Sequence, residues 1–182
     1  MGIGCASCCN SGTDAEYITG ASTVDAQKED VEKVGIDTSN WKVVPIGPMG
    51  TLNGKAPPGY VTSGNLTALG LLIQGDNLSV QVRFGRPDDP ETLQEAVAAL
   101  VEFGGNDPST IEQIELADGY IFAAPIPGRH VIQVQCIRRI GGLRAISVDA
   151  TANSELEKET TIAFCRTLYT EGRTKVFKRP AS

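Results

Sequence analysis

Apolar and polar residues alternate through Leu78-Ser-Val-Gln-Val-Arg-Phe84. Leu78, Val80, Val82 and Phe84 point one way; Ser79, Gln81 and Arg83 point the other. A period of two is that of a half-buried strand. The preceding run, Leu66 to Gln74, is mostly apolar, and Gly75-Asp76-Asn77 separates the two, which predicts a hairpin. Gly119 to Ala124 (GYIFAA) predicts another strand, stopped by Pro125 and Pro127. His130 to Ile140 and Leu143 to Ala150, divided by Gly141-Gly142, predict a second hairpin. Its facing stays open. Ile132, Val134 and Cys136 share one side with Arg138 at the end, and Val131 and Ile137 share the other with Gln133 and Gln135.

Two segments carry helical spacing instead. Leu93, Val97 and Leu100 lie four and three apart behind Asp89-Pro90, so Asp89 is the expected cap and Pro90 the first helical residue, with Gly104-Gly105 as the stop. Asp107-Pro108 repeats the start signal and predicts one short turn over Ser109 to Gln113. Ser154 and Glu157 have the spacing of a capping box, and Glu155, Glu157 and Glu159 suit the positive end of a helix dipole. Ile162, Cys165, Leu168 and Tyr169 then make a stripe, with Phe164 beside it and Gly172 as the expected end. Gly47-Pro-Met-Gly50 and Gly54 to Gly59 read as loops with turn chemistry.

The order hairpin, helix, strand, hairpin, helix predicts an α+β domain, a mainly antiparallel sheet with helices packed on it. Asp118-Gly-Tyr-Ile-Phe, the Ile140-Gly-Gly-Leu hairpin and the closing Phe164-Cys-Arg-Thr-Leu helix carry a likeness over about residues 40–172. In element order the chain resembles the Mog1/PsbP-like fold. That resemblance implies a scaffold shared by a binder of the Ran GTPase, extrinsic subunits of photosystem II and bacterial lipoproteins. These have no common catalytic site, so it assigns no residues a role.

Charge divides the chain. Of its 182 residues, 22 are acidic and 16 basic, a net charge of −6. Residues 1–40 hold seven acids and only Lys28 and Lys33 as bases, so most of the acidity belongs there. That segment is rich in Ser, Thr, Gly and Ala and can bury little surface. Residues 1–38 therefore read as a flexible acidic segment, with a short helix over Asp25 to Val34 the one element expected in it. Residues 39–173 read as the α+β domain, opening at Trp41, and 174–182 as a basic tail. Arg173, Lys175, Lys178 and Arg179 carry the positive charge at that end. A net acidic chain is not expected to bind nucleic acid. No run of about 18 apolar residues would span a bilayer.

The N-terminus is the most specific stretch. Met1-Gly2-Ile3-Gly4-Cys5-Ala6-Ser7-Cys8-Cys9 holds three of the five cysteines, and Gly2 behind Met1 resembles an N-myristoylation signal. It departs from the pattern in having Ala6 where Ser or Thr is usual. One myristoyl chain holds a membrane only marginally. No polybasic run follows, so the second signal is expected to be acylation of Cys5, Cys8 or Cys9, which gives a protein at the cytoplasmic face of a membrane. The rival reading is a bacterial-type lipoprotein of the cell envelope. Ile3-Gly4-Cys5 resembles the end of a lipobox, with Cys5 as the lipidated first residue of the mature chain and a leader that begins earlier.

Candidate chemistry in the domain is sparse. No phosphate loop, dinucleotide fingerprint, His-Glu metal motif or Ser/His/Asp order is present, so no cofactor or metal is expected. The only histidine, His130, reads as a strand-end surface residue, with general base as the alternative role. Cys136 on a strand and Cys165 on the last helix are placed to meet. They would pair as a disulfide in an oxidising compartment and act as small buried apolar residues in a reducing one. Arg139 and Arg144 should lie together on the Gly-Gly hairpin as a patch for an acidic partner or lipid headgroups. The function expected is a lipid-anchored, non-catalytic module that binds another protein at a membrane surface. The alternatives are an envelope lipoprotein or a small enzyme with a pocket between sheet and helices.

Overall fold

The computed structural model describes residues 35–47, 51–66, 70–140 and 145–170. Within them the chain runs β1 (Lys42–Pro45), β2 (Asn53–Ala56), β3 (Val61–Asn65), β4 (Gly70–Gly75), β5 (Leu78–Phe84), α1 (Leu93–Glu102), β6 (Glu112–Leu116), β7 (Gly119–Pro125), β8 (Ile132–Arg138), β9 (Ile146–Ala152) and α2 (Glu155–Arg166). β1 and β2 form a separate hairpin, and the other seven strands form one sheet in the order β3-β4-β5-β9-β8-β7-β6. Every pairing is antiparallel. The fold is thus α+β and mostly sheet. It consists of two meanders, β3 to β5 and β6 to β9, with α1 between them in the chain and a single seam between β5 and β9.

Local chemistry explains much of this. β4 and β5 form the expected hairpin, with Gly75 opposite Leu78 across Asp76-Asn77. Asn77 adopts a positive φ of 53°, a conformation asparagine tolerates. Leu78, Val80 and Val82 are at most 3% exposed, so the alternation reports a real inner face. β8 and β9 also pair, while the Gly141-Gly142 turn and Arg144 lie outside the described residues.

Two cores flank the sheet. On one face α2 and the β1–β2 hairpin close over Val80, Val82, Ile121, Val134, Cys136 and Val148. On the other face α1 covers Tyr120, Phe122, Ala124 and Ile137. β8 contributes to both, which resolves its ambiguous pattern: Val134 and Cys136 turn toward α2, Ile137 toward α1.

Several expectations need correction. α1 begins at Leu93, not at Pro90, because Asp89 is engaged elsewhere. Thr92 is the cap, its hydroxyl accepting the Glu95 N–H at 3.2 Å while the Glu95 carboxylate accepts the Thr92 N–H at 3.3 Å. The turn after Asp107 spans only Pro108–Thr110, and Gln113 belongs to strand β6. Gly54 to Ala56, expected as loop, lie in β2, and β3 is a further strand. In α2, Ser154 accepts the Glu157 N–H as expected, but the Glu157 carboxylate bonds the N–H of Asn153 at 2.6 Å rather than that of Ser154. The helix ends at Arg166, six residues before Gly172, because Thr167 and Tyr169 bridge to the β1–β2 hairpin. The Thr167 hydroxyl accepts the Lys55 N–H at 2.8 Å, and Tyr169 exchanges two 2.9 Å backbone bonds with Asn53.

Candidate functional site

α1 covers only half of its face of the sheet. From β8 across β9 and β5 to β4, no described helix lies over the strands, and the side chains there are polar. Gln81, Asp149 and Gln135 stand in one cross-strand row, and Thr151 pairs with Gln133 in the next. The row is ordered by an ion network. Asp149 accepts Arg83 Nε at 2.9 Å, Gln135 Nε2 at 2.7 Å and the Ser147 hydroxyl at 3.0 Å. Arg83 also grips Asp89, ahead of α1, through Nη1 at 2.8 Å and Nη2 at 2.9 Å. A two-pronged guanidinium–carboxylate contact fixes orientation as well as distance, so this pair ties the start of the α1 segment to β5. The hydrogen bond from Arg83 is the main cause of an Asp89 carboxyl held below its ordinary range, with burial opposing it. Two carboxylates against one guanidinium leave the network a net negative charge.

The open half forms a groove in two parts that share Gln133. One, about 380 Å³, is floored by Ser79, Gln81, Gln133 and Asp149, with Leu72 and Ile126 at its sides. The other, about 200 Å³, runs under α1 between Phe122, Gln133 and Gln135 below and Ala96, Leu100 and Phe103 above. Phe103, at the C-terminal cap of α1, is 82% exposed. Phe103 is thus a large apolar side chain left in water at the rim of an ordered polar floor.

A second cleft, about 420 Å³, lies between α2 and β6, lined by Glu112, Ile114, Glu159, Ile162 and Arg166 and by Ile36 and Thr38. Its carboxylates are bound by Lys158, whose Nζ stands 2.7 Å from Glu112 and 3.2 Å from Glu159, and which also contacts Glu155. This is the pocket between sheet and helix that an enzyme reading requires. His130 is not among its lining residues and is exposed between β7 and β8.

The expected site residues separate accordingly. Gly2, Cys5, Cys8, Cys9 and Arg144 lie outside the described residues. Arg139 is exposed and donates to the Glu91 carbonyl at 2.9 Å. Arg138 turns inward, binding Asp118 through Nε at 2.6 Å and Nη2 at 2.8 Å and the Cys165 carbonyl through Nη1 at 2.7 Å. Cys136 and Cys165 are both buried and free, and they lie in the same core. Burial, then the Cys136 thiol, pushes the Cys165 thiol well above its ordinary pKa. Among the described residues no three His, Cys, Asp or Glu side chains converge as metal ligands, and no helix is long and apolar enough to cross a membrane. Sequence reasoning does not single out Gln133, Gln135, Asp149 or Phe103 as site residues. The signal available is the polar face of Ser79, Gln81 and Arg83, which becomes a site only once β9 and β8 are known to lie beside β5.

No known protein family and no curated protein matches the sequence. A crystal structure at 1.50 Å from Bacteroides thetaiotaomicron VPI-5482 is similar over 74% of this chain, with 13% identity and a TM-score of 0.42. The likeness takes in 50% of that protein, so this chain spans about half its length.

Proposed function

We propose that this protein is a lipid-anchored, non-catalytic module on a Mog1/PsbP-like scaffold that binds another protein at the cytoplasmic face of a membrane. The observation that carries the binding half of this reading is the uncovered half-face with Phe103 at its rim. Such a groove is shallow and open, and its amides both donate and accept hydrogen bonds. These properties suit an extended polypeptide segment, whose backbone offers the same two groups. The network's net negative charge favours a segment with a basic side chain. The anchor half rests on Gly2 with Cys5, Cys8 and Cys9, since two acyl chains hold a membrane where one does not.

One protein preparation tests both halves. Intact mass of the protein from its native host should show a myristoyl group on Gly2 and at least one further acyl group on Cys5, Cys8 or Cys9. Unmodified Gly2 with three free thiols would end the anchor reading. A mature chain starting at a diacylglyceryl-modified Cys5 would establish the envelope lipoprotein instead. For the groove, a photo-crosslinking residue at Gln81 should trap one discrete protein in those cells. Phe103→Ser should leave stability within about 0.5 kcal/mol, as at other exposed sites, and cut the adduct at least about tenfold, as loss of an interface anchor does. An adduct indifferent to Phe103→Ser would remove the groove from consideration. The small-enzyme reading would then rest on the Glu112–Glu159 cleft.

A further inference from the structure

We propose that Cys136 and Cys165 form an intramolecular disulfide when the chain folds in an oxidising compartment, cross-linking β8 to the last turn of α2. The two residues are each 0% exposed and belong to the same core. Cys136 sits in mid-strand, paired with Ile121 on one side and Val148 on the other. Its side chain therefore has a fixed direction, toward α2. Cys165 lies on the sheet-facing side of α2 with Ile162 and Phe164 as buried neighbours, and α2 packs directly on β8.

A second contact holds the pair in place. Arg138 is two residues beyond Cys136 on the same face of β8, and its Nη1 donates to the carbonyl of Cys165 itself at 2.7 Å. Asp118 fixes the guanidinium in turn through two hydrogen bonds. The strand that carries one thiol thus already grips the backbone that carries the other. A geometry pinned at the backbone restricts how far two sulfurs can separate, and disulfides form only within a narrow range of Cα separations.

The chemistry needs an oxidant, for which a small-molecule disulfide such as oxidised glutathione suffices. One thiolate attacks the oxidant, breaking its S–S bond and releasing one thiol. The second thiolate then displaces the other, so the Cys136–Cys165 bond forms, two electrons pass to the oxidant and both protons end on its two released thiols. Burial disfavours the thiolate in the finished fold, so the mixed disulfide forms on the folding chain and the second displacement follows as α2 closes on the sheet. The bond goes with the envelope-lipoprotein reading, since thiols at the cytoplasmic face of a membrane stay reduced, and it does not depend on the groove.

The test uses the full chain with Cys5→Ser, Cys8→Ser and Cys9→Ser, so that no N-terminal thiol competes. Refolded from denaturant in a glutathione redox buffer, it should lose two hydrogens in mass. Proteolysis without reductant should yield one linked peptide pair containing Cys136 and Cys165. Its thermal midpoint should rise by about 10 °C over the reduced form, the shift a cross-link closing a loop of about 30 residues brings, and return on reduction. Refolded protein in which both thiols remain free, or carry glutathione without joining, would overturn the proposal. The mass and peptide readouts need no variant of either cysteine, so a variant that failed to fold would not obscure them.

Discussion

Phe164→Ala lowers the unfolding free energy by about 3–5 kcal/mol, the range for deleting a fully buried aromatic ring. Phe164 is 0% exposed and the largest wholly buried side chain of the domain. The hairpin strand β2 approaches it through Gly54, where a Cβ would stand 3.3 Å from the Phe164 ring, 3.2 Å from Ile46 and 3.1 Å from Leu168. The ring thus fills the space that a missing side chain leaves between hairpin and helix. Removing it opens a void beside Gly54, Ile46 and Leu168, and its cost depends on how far Ile46 and Leu168 can close in. Domains of this kind are held by only about 5–15 kcal/mol, so the variant should sit near the edge of folding. Urea titration and thermal melting check the loss, with the midpoint expected roughly 10–20 °C lower. Phe103→Ala is the internal control. The same residue type at 82% exposure should change stability by less than about 0.5 kcal/mol.

Lys158→Met should cost about 2 kcal/mol at neutral pH, and as much at pH 9. Lys158 has a side chain only 11% exposed, among Glu112, Glu155 and Glu159. Burial works against its charge, but hydrogen bonds with Glu112 and Glu155 and the charge of Glu112 outweigh that, so its pKa lies above the ordinary 10.5. A raised folded pKa means the contribution is fully present below 10.5 and is lost only as pH rises through the folded value. Removing the ammonium leaves three carboxylates facing one another. Breaking a fully buried pair costs about 3–5 kcal/mol, and the half-exposed Glu155 brings that down through solvent screening. Both pH 7 and pH 9 lie below 10.5, so the deficit should be the same at the two. Urea midpoints of both proteins at the two pH values check this. A deficit already lost at pH 9 would show that the carboxylates do not hold Lys158 in its charged form.

Strands with one wet face were legible residue by residue. Leu78–Phe84 alternates because Val80 and Val82 meet a core while Ser79 and Gln81 meet water. Strands without that contrast were not. β8 buries Val134 and Cys136 on one face and Ile137 on the other, so its apolar residues fall on both phases and its facing could not be read. β2 is short and carries Gly54, whose value lies in having no side chain for Phe164 to meet, and composition alone makes such a residue look like a turn. β6 reads Glu-Gln-Ile-Glu-Leu, and Lys158 on a distant helix is what makes Glu112 tolerable at its start. The displaced start of α1 has the same origin. Asp89 has the right chemistry for a cap, but Arg83, six residues earlier, claims both its oxygens. The groove was beyond reach for a related reason. It joins polar residues of β5, β8 and β9, and no local pattern reports which strands become neighbours.

The single seam between the two meanders also sets a clock. Within each meander, neighbouring strands follow one another closely in sequence. The β5–β9 pairing instead brings together residues such as Arg83 and Asp149, 66 positions apart, and loop closure over that span costs entropy before any contact repays it. Pairing across this seam is therefore expected to make folding slow for a chain of this size, and α2, which packs on β5 and β9 alike, bridges the two halves once they meet.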